Sequence, residues 1–369
     1  MKEFLRRDLR VAVTPWIASR VIVIVALATA RFLDEDVGSL PRPIPLAQGL
    51  FAWDAVWYRT IAEFGYTGVH ESALRFFPLL PGLSRILCFV FLGHEDVALI
   101  FIANMGALVL CALMYRLTLR DSGDHATAVR AAWFTVLMSP AVALVLGYAE
   151  SLAMSLSVGA FLAVRSRRWD VAAVLALLAG LARPVGVLLA LPLFIEAWNG
   201  WRTATTRDRI VRGLAVIAPG VGMGIYLAYV GIRFGDPFEP LSVQNTATLR
   251  GGFVDPFSRL WRAFEDMVGG DRFGSGLHLV WAAIFAVLLV YVWRNLPKSY
   301  FAYCALTLVL GLSADNLDSF ERYCFSTFPF IMGLAFATKN VETERAVLVL
   351  SSAGLFGYAL LAFFGSWVP

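Results

Sequence analysis

The chain has 369 residues, 59% of them hydrophobic and only 16% charged, with a net charge of +4. A soluble domain carries about 25% charged residues, so the composition excludes an ordinary soluble enzyme and reads as an integral membrane protein. The basic residues fall in short clusters between apolar runs, the pattern of cytoplasmic loops rather than of a nucleic-acid surface.

Residues 1–10 carry Lys2, Arg6, Arg7 and Arg10, and an apolar run follows from Val11 to about Leu33. The basic flank places the N-terminus in the cytoplasm. Ala28-Thr29-Ala30 mimics a signal-cleavage site, but Arg20 interrupts the apolar run and many further apolar spans follow, so the run reads as the first transmembrane helix. Arg20 must face protein or water rather than lipid. Residues 34–96 form a first outer loop. It starts proline-rich (Pro41, Pro43, Pro45) and turns amphipathic from Leu46 to Phe64, the pattern of a helix lying on the membrane surface. Residues 76–92 hold Pro78, Pro81 and Arg85 and fall short of the roughly 20 residues of a span. Left on the outer side as a second surface helix, they make every later basic cluster cytoplasmic.

The remaining spans are expected at 97–118, 130–147, 149–165, 169–182, 184–199, 211–234, 277–294, 299–314, 321–338 and 346–366. With the first, this makes about eleven helices of membrane-spanning type. Gly220 and Gly224 have GxxxG spacing and predict close helix packing. Residues 235–276 form a second large outer loop, for which no residue-level role emerges. The whole is read as a single all-α polytopic membrane domain. Cys88, Cys111, Cys304 and Cys324 lie in apolar stretches without CxxC spacing, and the four histidines form no HxxxH or HxH pair. Neither a disulfide framework nor a metal site is expected.

This orientation gathers the charges at membrane edges on one face. They lie in Trp53-Asp54-Ala55-Val56-Trp57-Tyr58, in the short turn Gly147-Tyr148-Ala149-Glu150-Ser151, in Arg183-Pro184-Val185-Gly186 and in Glu321-Arg322-Tyr323. An interfacial aromatic belt accounts for Trp53, Trp57 and Tyr58 but gives Asp54 no role. Structural ion pairs account for Glu150 and Arg183, at little net gain in stability. The functional reading is group transfer from a lipid phosphate. Arg183, Arg322 and Arg75 supply forked donors for the phosphate. Asp54 takes the proton from an acceptor hydroxyl. The phosphate leaves as a stable anion, so one carboxylate suffices. The tryptophans and Tyr58 can stack on sugar faces.

The first-loop motif, continued by Gly65-Tyr66 and Arg75-Phe76-Phe77-Pro78-Leu79-Leu80-Pro81, resembles that of the GPI second-mannose transferases, and more closely their bacterial relatives. Tyr148-Ala149-Glu150-Ser151, Arg183-Pro184-Val185-Gly186 and Glu321-Arg322-Tyr323 resemble shorter elements of the same family, although Pro-Val stands where the family often has Ser-Asn. The resemblance implies a GT-C glycosyltransferase bundle with juxtamembrane helices in the first outer loop. It implies an inverting transfer of a sugar, usually mannose, from a polyprenyl phosphate, with Asp54 as the catalytic residue. Trp53, Trp57, Tyr58, Tyr148, Glu150, Glu321 and Tyr323 then form the candidate sugar- and acceptor-binding set. The second acidic residue common in first loops of the wider superfamily has only stretched candidates here, Glu63 and Glu71. The expected setting is the inner membrane of a bacterium, with the active site on the outer face, a lipid-linked or envelope acceptor, no cofactor and no metal. The alternatives are transfer of another lipid-linked sugar, such as arabinose or glucose, and transport of a lipid or sugar.

Overall fold

The computed structural model describes residues 2–37, 43–246, 249–270 and 275–366. Pro41, at the start of the first outer loop, lies outside them. Helices α1 (Lys2–Val37), α2 (Ile44–Gln48), α3 (Asp54–Phe64), α4 (Leu79–Leu87), α5 (Glu95–Ser122), α6 (His125–Leu137) and α7 (Glu150–Arg165) take up the first part of the chain. They are followed by α8 (Trp169–Ala182), α9 (Ala190–Trp198), α10 (Thr206–Phe234), α11 (Glu239–Ser242), α12 (Pro256–Gly269) and α13 (Ser275–Asn295). The last four are α14 (Lys298–Leu312), α15 (Phe320–Ser326), α16 (Pro329–Ala337) and α17 (Val341–Phe363). The described residues contain no β-strand, only an isolated antiparallel bridge between Phe253 and Ala314. The expected all-α membrane architecture is present.

Five helical segments are long and apolar enough to cross a membrane: Arg6–Glu35, Glu95–Ser122, Thr206–Phe234, Gly276–Asn295 and Val341–Phe363. Each matches an expected span with its ends shifted by a few residues, the last helix starting earlier and stopping at Phe363 rather than 366. The other six expected spans are shorter or broken. Residues 130–147 divide into α6 and a 3-10 turn over Ser139–Leu144 with Pro140 as its second residue. Residues 184–199 begin as a 3-10 turn over Pro184–Leu189 before α9, and 321–338 divide at Pro329 into α15 and α16. Proline lacks the donor for the preceding turn and clashes with it, so each break falls where the sequence places one. Residues 76–92 contain only the short helix α4 and a 3-10 turn.

The helices pack as two compact units. The first comprises Met1–Ala73, Pro78–Val158 and Thr338–Pro369. Within it α1 lies against α5, α6 and α17, and the short helices α3 and α4 pack on α5. Arg130 donates to Thr127 Oγ1 (2.7 Å) and Glu344 Oε2 (3.3 Å), tying α6 to α17. The second unit comprises Leu74–Phe77 and Gly159–Ala337. Its most intimate pair is α8 with α10. A Cβ added at Gly180 would stand 2.1 Å from the Pro219 carbonyl oxygen, and one added at Gly222 would stand 2.1 Å from that of Leu177. These helices meet backbone to backbone, as small residues allow in a bilayer. The expected pair Gly220 and Gly224 is corrected by this packing, since nothing lies within 4 Å of a Cβ at either. Gly222, halfway between them, is the residue on the contact face. Spacing alone locates the glycine-rich turn, while the helix's rotation selects the face.

In the loop expected to be the second outer one, α12 starts at Asp255, whose carboxylate accepts from the Ser258 N–H (2.9 Å), with Pro256 at the first helical position. Arg259 and Ala263 are buried, while Phe257, Trp261, Phe264 and Val268 are exposed along one stripe at helical spacing. This helix packs on α13 and α14.

Candidate functional site

The predicted site residues divide between the two units. In the first unit, Asp54 is the first residue of α3 and is 8% exposed. The preceding Trp53 has φ 59°, a left-handed conformation uncommon for a large side chain. Backbone strain of this type is held only where surrounding contacts fix it, and here the Trp53 Nε1–H donates to the Ala362 carbonyl of α17 (2.9 Å). The strained residue turns the chain into α3 and sets Asp54 in its first turn, where the helix dipole favours a negative charge.

The turn before α7 comes to the same place. The Gly147 N–H donates to the Leu50 carbonyl (3.2 Å), and the Tyr148 hydroxyl accepts from the Asp54 N–H (3.4 Å). Tyr148 is fully buried, and Glu150, the first residue of α7, is 2% exposed. Asp54 and Tyr148, far apart in sequence, are thus joined through backbone and hydroxyl contacts, with Glu150 two residues beyond Tyr148. Tyr58 is buried on α3 one turn after Asp54, and Trp57 is half-buried.

Arg20, which the sequence leaves without a role, supports this turn. Its Nη2 donates to the Leu144 carbonyl (2.7 Å), its Nε to Asn104 Oδ1 (3.0 Å) and its Nη1 to Ser19 Oγ (2.7 Å). Asn104 in turn donates to the Val145 carbonyl (3.1 Å). A buried guanidinium therefore satisfies the irregular backbone left by the end of the Ser139–Leu144 turn, three residues before Gly147.

In the second unit, Arg183 caps the C-terminal end of α8 in an extended conformation, as expected of a residue before proline. It is 7% exposed. Its Nη1 donates to Ser326 Oγ (3.4 Å), and its guanidinium lies 5.6 Å from the Tyr323 ring centroid. Arg322, 3% exposed, lies 5.8 Å from the same ring. A third guanidinium, unforeseen from the sequence, stacks closer still: Arg250, in the segment between α11 and α12, 3.9 Å from the centroid. Three cations sharing one ring place Arg250 within about 10 Å of each of the others. At an effective dielectric of 20, two like charges 10 Å apart repel by about 1.7 kcal/mol, and the Tyr323 ring returns about 0.5–2 kcal/mol per stacked cation.

Arg75 lies over its own neighbour Phe76 (4.8 Å) rather than over Tyr323. The segment that carries it is held by α10, whose Tyr226 hydroxyl donates to the Leu74 carbonyl (2.7 Å) and whose Tyr226 ring packs on Phe77. Glu321, fully buried, faces away from the phosphate role given to its neighbour. Its Oε2 lies 2.7 Å from His278 Nδ1, and Asp318 Oδ1 lies 3.8 Å from His278 Nε2. His278 thus bridges two carboxylates and ties α15 to the start of α13. No local signal in the sequence links it to Glu321. Among the described residues no group of three or more His, Cys, Asp or Glu side chains is placed to hold a metal ion.

No protein-family model and no curated protein sequence matches the chain. Solved structures do. ArnT from Cupriavidus metallidurans bound to undecaprenyl phosphate aligns with a TM-score of 0.51 at 14% identity, over 93% of this chain and 75% of that one. The archaeal oligosaccharyltransferase AglB from Archaeoglobus fulgidus in complex with an inhibitory peptide and a dolichol-phosphate aligns at 0.45 and 14%, over 95% of this chain and 56% of that one. The present chain thus spans about half the length of the oligosaccharyltransferase. At such identities the likeness to ArnT concerns the fold, and the fold of this chain is that of the GT-C membrane glycosyltransferases.

Proposed function

We propose that this chain is an inverting glycosyltransferase that moves a sugar, mannose first among the candidates, from a polyprenyl phosphate to a hydroxyl of a lipid-linked or envelope acceptor. The observation that carries the reading is the buried Asp54 at the start of α3, in a chain with the fold of a structure bound to undecaprenyl phosphate. Asp54 is the general base. It takes the acceptor proton as the acceptor oxygen bonds to the anomeric carbon and the bond from that carbon to phosphate breaks. The electron pair leaves with the phosphate oxygen, and Arg183 and Arg322 stabilise the charge that develops there. Arg75 is assigned to the same phosphate from its motif, with its guanidinium over Phe76 in this structure. Trp53, Trp57, Tyr58, Tyr148, Glu150, Glu321 and Tyr323 are assigned to sugar and acceptor. For Trp53 and Glu321 the contacts with Ala362 and His278 support a positioning role.

The reaction is proposed to run without a metal, since guanidinium groups supply the positive charge that stabilises the leaving phosphate. The proposed setting is the inner membrane, with the N-terminus in the cytoplasm and the active site on the outer face. The test is incubation of the purified full chain with radiolabelled polyprenyl-phosphate mannose, glucose or arabinose and a total lipid extract, with and without chelator. Label is expected to move from the mannose donor to a lipid acceptor, in chelator as well as without it. Asp54→Asn is expected to lower the rate by at least about 10³-fold while leaving expression and elution profile unchanged. Transfer by Asp54→Asn near the wild-type rate removes Asp54 as base. No transfer from any of the donors removes the enzyme reading and leaves transport.

A further inference from the structure

Resting on that reading, we propose that Arg250 binds the leaving phosphate, and that the second outer loop exists to hold it there. The loop spends its backbone on this one side chain. The Arg250 N–H donates to the Gln244 carbonyl (3.0 Å) and its carbonyl accepts from the Asn316 N–H (3.0 Å). Beyond it the chain forms a short antiparallel clasp with the segment before α15. The Asp315 N–H donates to the Gly252 carbonyl (3.2 Å), the Val254 N–H donates to the Ser313 carbonyl (2.9 Å), and Phe253 bridges to Ala314. Arg262 of α12 locks the clasp by an ion pair with Asp315 Oδ1 (2.9 Å). Gly251, between Arg250 and the clasp, has φ +66°, and a Cβ on it would stand 2.7 Å from the Asp315 Cβ. Glycine alone fits both conditions.

Among the described residues the side chain so placed has no counter-ion. Arg250 forms no ion pair with a carboxylate among the described residues, and no hydrogen-bond partner meets its buried Nε among them. Stacking on Tyr323 occupies the face of the guanidinium and leaves its in-plane N–H donors for a ligand. The charge count then says which state of the ligand the cluster prefers. A sugar-phosphate donor is a phosphodiester with one negative charge. Transfer breaks its bond to the sugar carbon and leaves a phosphate monoester, which carries about −1.5 to −2 near neutral pH. Arg183 and Arg322 are the groups assigned above to the single charge of the donor. A third guanidinium matches the second charge, which exists only as the bond breaks, so it favours transition state and product over bound donor.

The experiment is equilibrium binding of citronellyl phosphate, a soluble prenyl phosphate monoester, to the full chain in nanodiscs, with inorganic phosphate as a second ligand, alongside donor kinetics. Arg250→Ala is expected to weaken citronellyl phosphate about 10- to 100-fold and to lower kcat by a comparable factor with donor KM changed less than threefold. Arg250→Lys is expected to recover part of both. Gly251→Ala, with Arg250 intact, is expected to resemble Arg250→Ala. Citronellyl phosphate binding within twofold of wild type in Arg250→Ala overturns the assignment of Arg250 alone. A rise in donor KM at unchanged kcat overturns the selectivity for the leaving group. Equal affinity for inorganic phosphate makes the cluster a free-anion site. Failure of the wild-type chain to bind citronellyl phosphate overturns the lipid-phosphate reading itself.

Discussion

The contact of α8 with α10 gives a substitution pair with opposite signs. At Gly180 or Gly222 an alanine Cβ would stand 2.1 Å from a backbone oxygen, where ordinary contact begins at 3.4 Å. The helices must separate locally by about 1.3 Å, the difference of those two distances. Overpacking of this kind costs about 1–3 kcal/mol, and the neighbour is backbone, which cannot rotate aside. Alanine's better helix propensity returns about 0.5–1 kcal/mol. The net loss for Gly180→Ala or Gly222→Ala is about 1–2 kcal/mol. At Gly220 and Gly224 the Cβ meets nothing within 4 Å, and the same substitution keeps only the propensity gain. Gly180 lies one turn before Arg183, so its replacement is also expected to weaken donor use. The assay is thermal unfolding of the purified chain in one detergent, followed by donor kinetics on the folded variants. Gly180→Ala and Gly222→Ala matching or exceeding the stability of Gly220→Ala would refute the packing argument.

Arg183→Ala and Arg322→Ala are each expected to reduce donor kcat/KM about 10- to 100-fold; unchanged donor use in both moves the phosphate elsewhere. Accessibility labelling of single cysteines introduced at Asp54, Arg183 and Arg322 is expected to place all three on one side of the membrane, and a split result dismantles the proposed reaction. Arg20→Leu leaves the Leu144 carbonyl and Asn104 Oδ1 short of a donor, an expected loss of about 2–4 kcal/mol; wild-type thermal stability in that variant means that the guanidinium is no strut. Asp124 caps α6, and the Thr127 hydroxyl and backbone N–H and the Ala126 N–H hold its carboxyl below the usual carboxylate range. Because its folded pKa is depressed, the cap's contribution is complete above the ordinary value of 3.8 and disappears as pH falls through the folded value. Asp124→Ala is therefore expected to cost about 1 kcal/mol at pH 7 and less in strong acid, where the protonated carboxyl caps only as a neutral acceptor; an equal cost at both pH values contradicts the ionised cap.

The comparison of sequence with structure separates local from non-local information. Apolar run lengths and proline positions are local quantities, and they located the five full-length spans, the helix carrying Asp54 and the break after α8 at Arg183, but not the split of the expected Leu46–Phe64 stretch into α2, a 3-10 turn and α3. They also singled out Asp54, Glu150, Arg183 and Arg322, because a charge bordering an oily segment is costly wherever the chain goes next. The same composition could not say that Gly222 rather than Gly220 or Gly224 meets the neighbouring helix, since that depends on the rotation of α10 against α8. Nor could it say that Arg20 supports the Tyr148–Glu150 turn, that His278 lies between Glu321 and Asp318, or that Arg250 stacks on Tyr323. Each of these pairs joins residues whose own neighbourhoods are unremarkable, and each is chosen by packing between distant segments, where a buried polar group must find whichever partner the fold brings within reach.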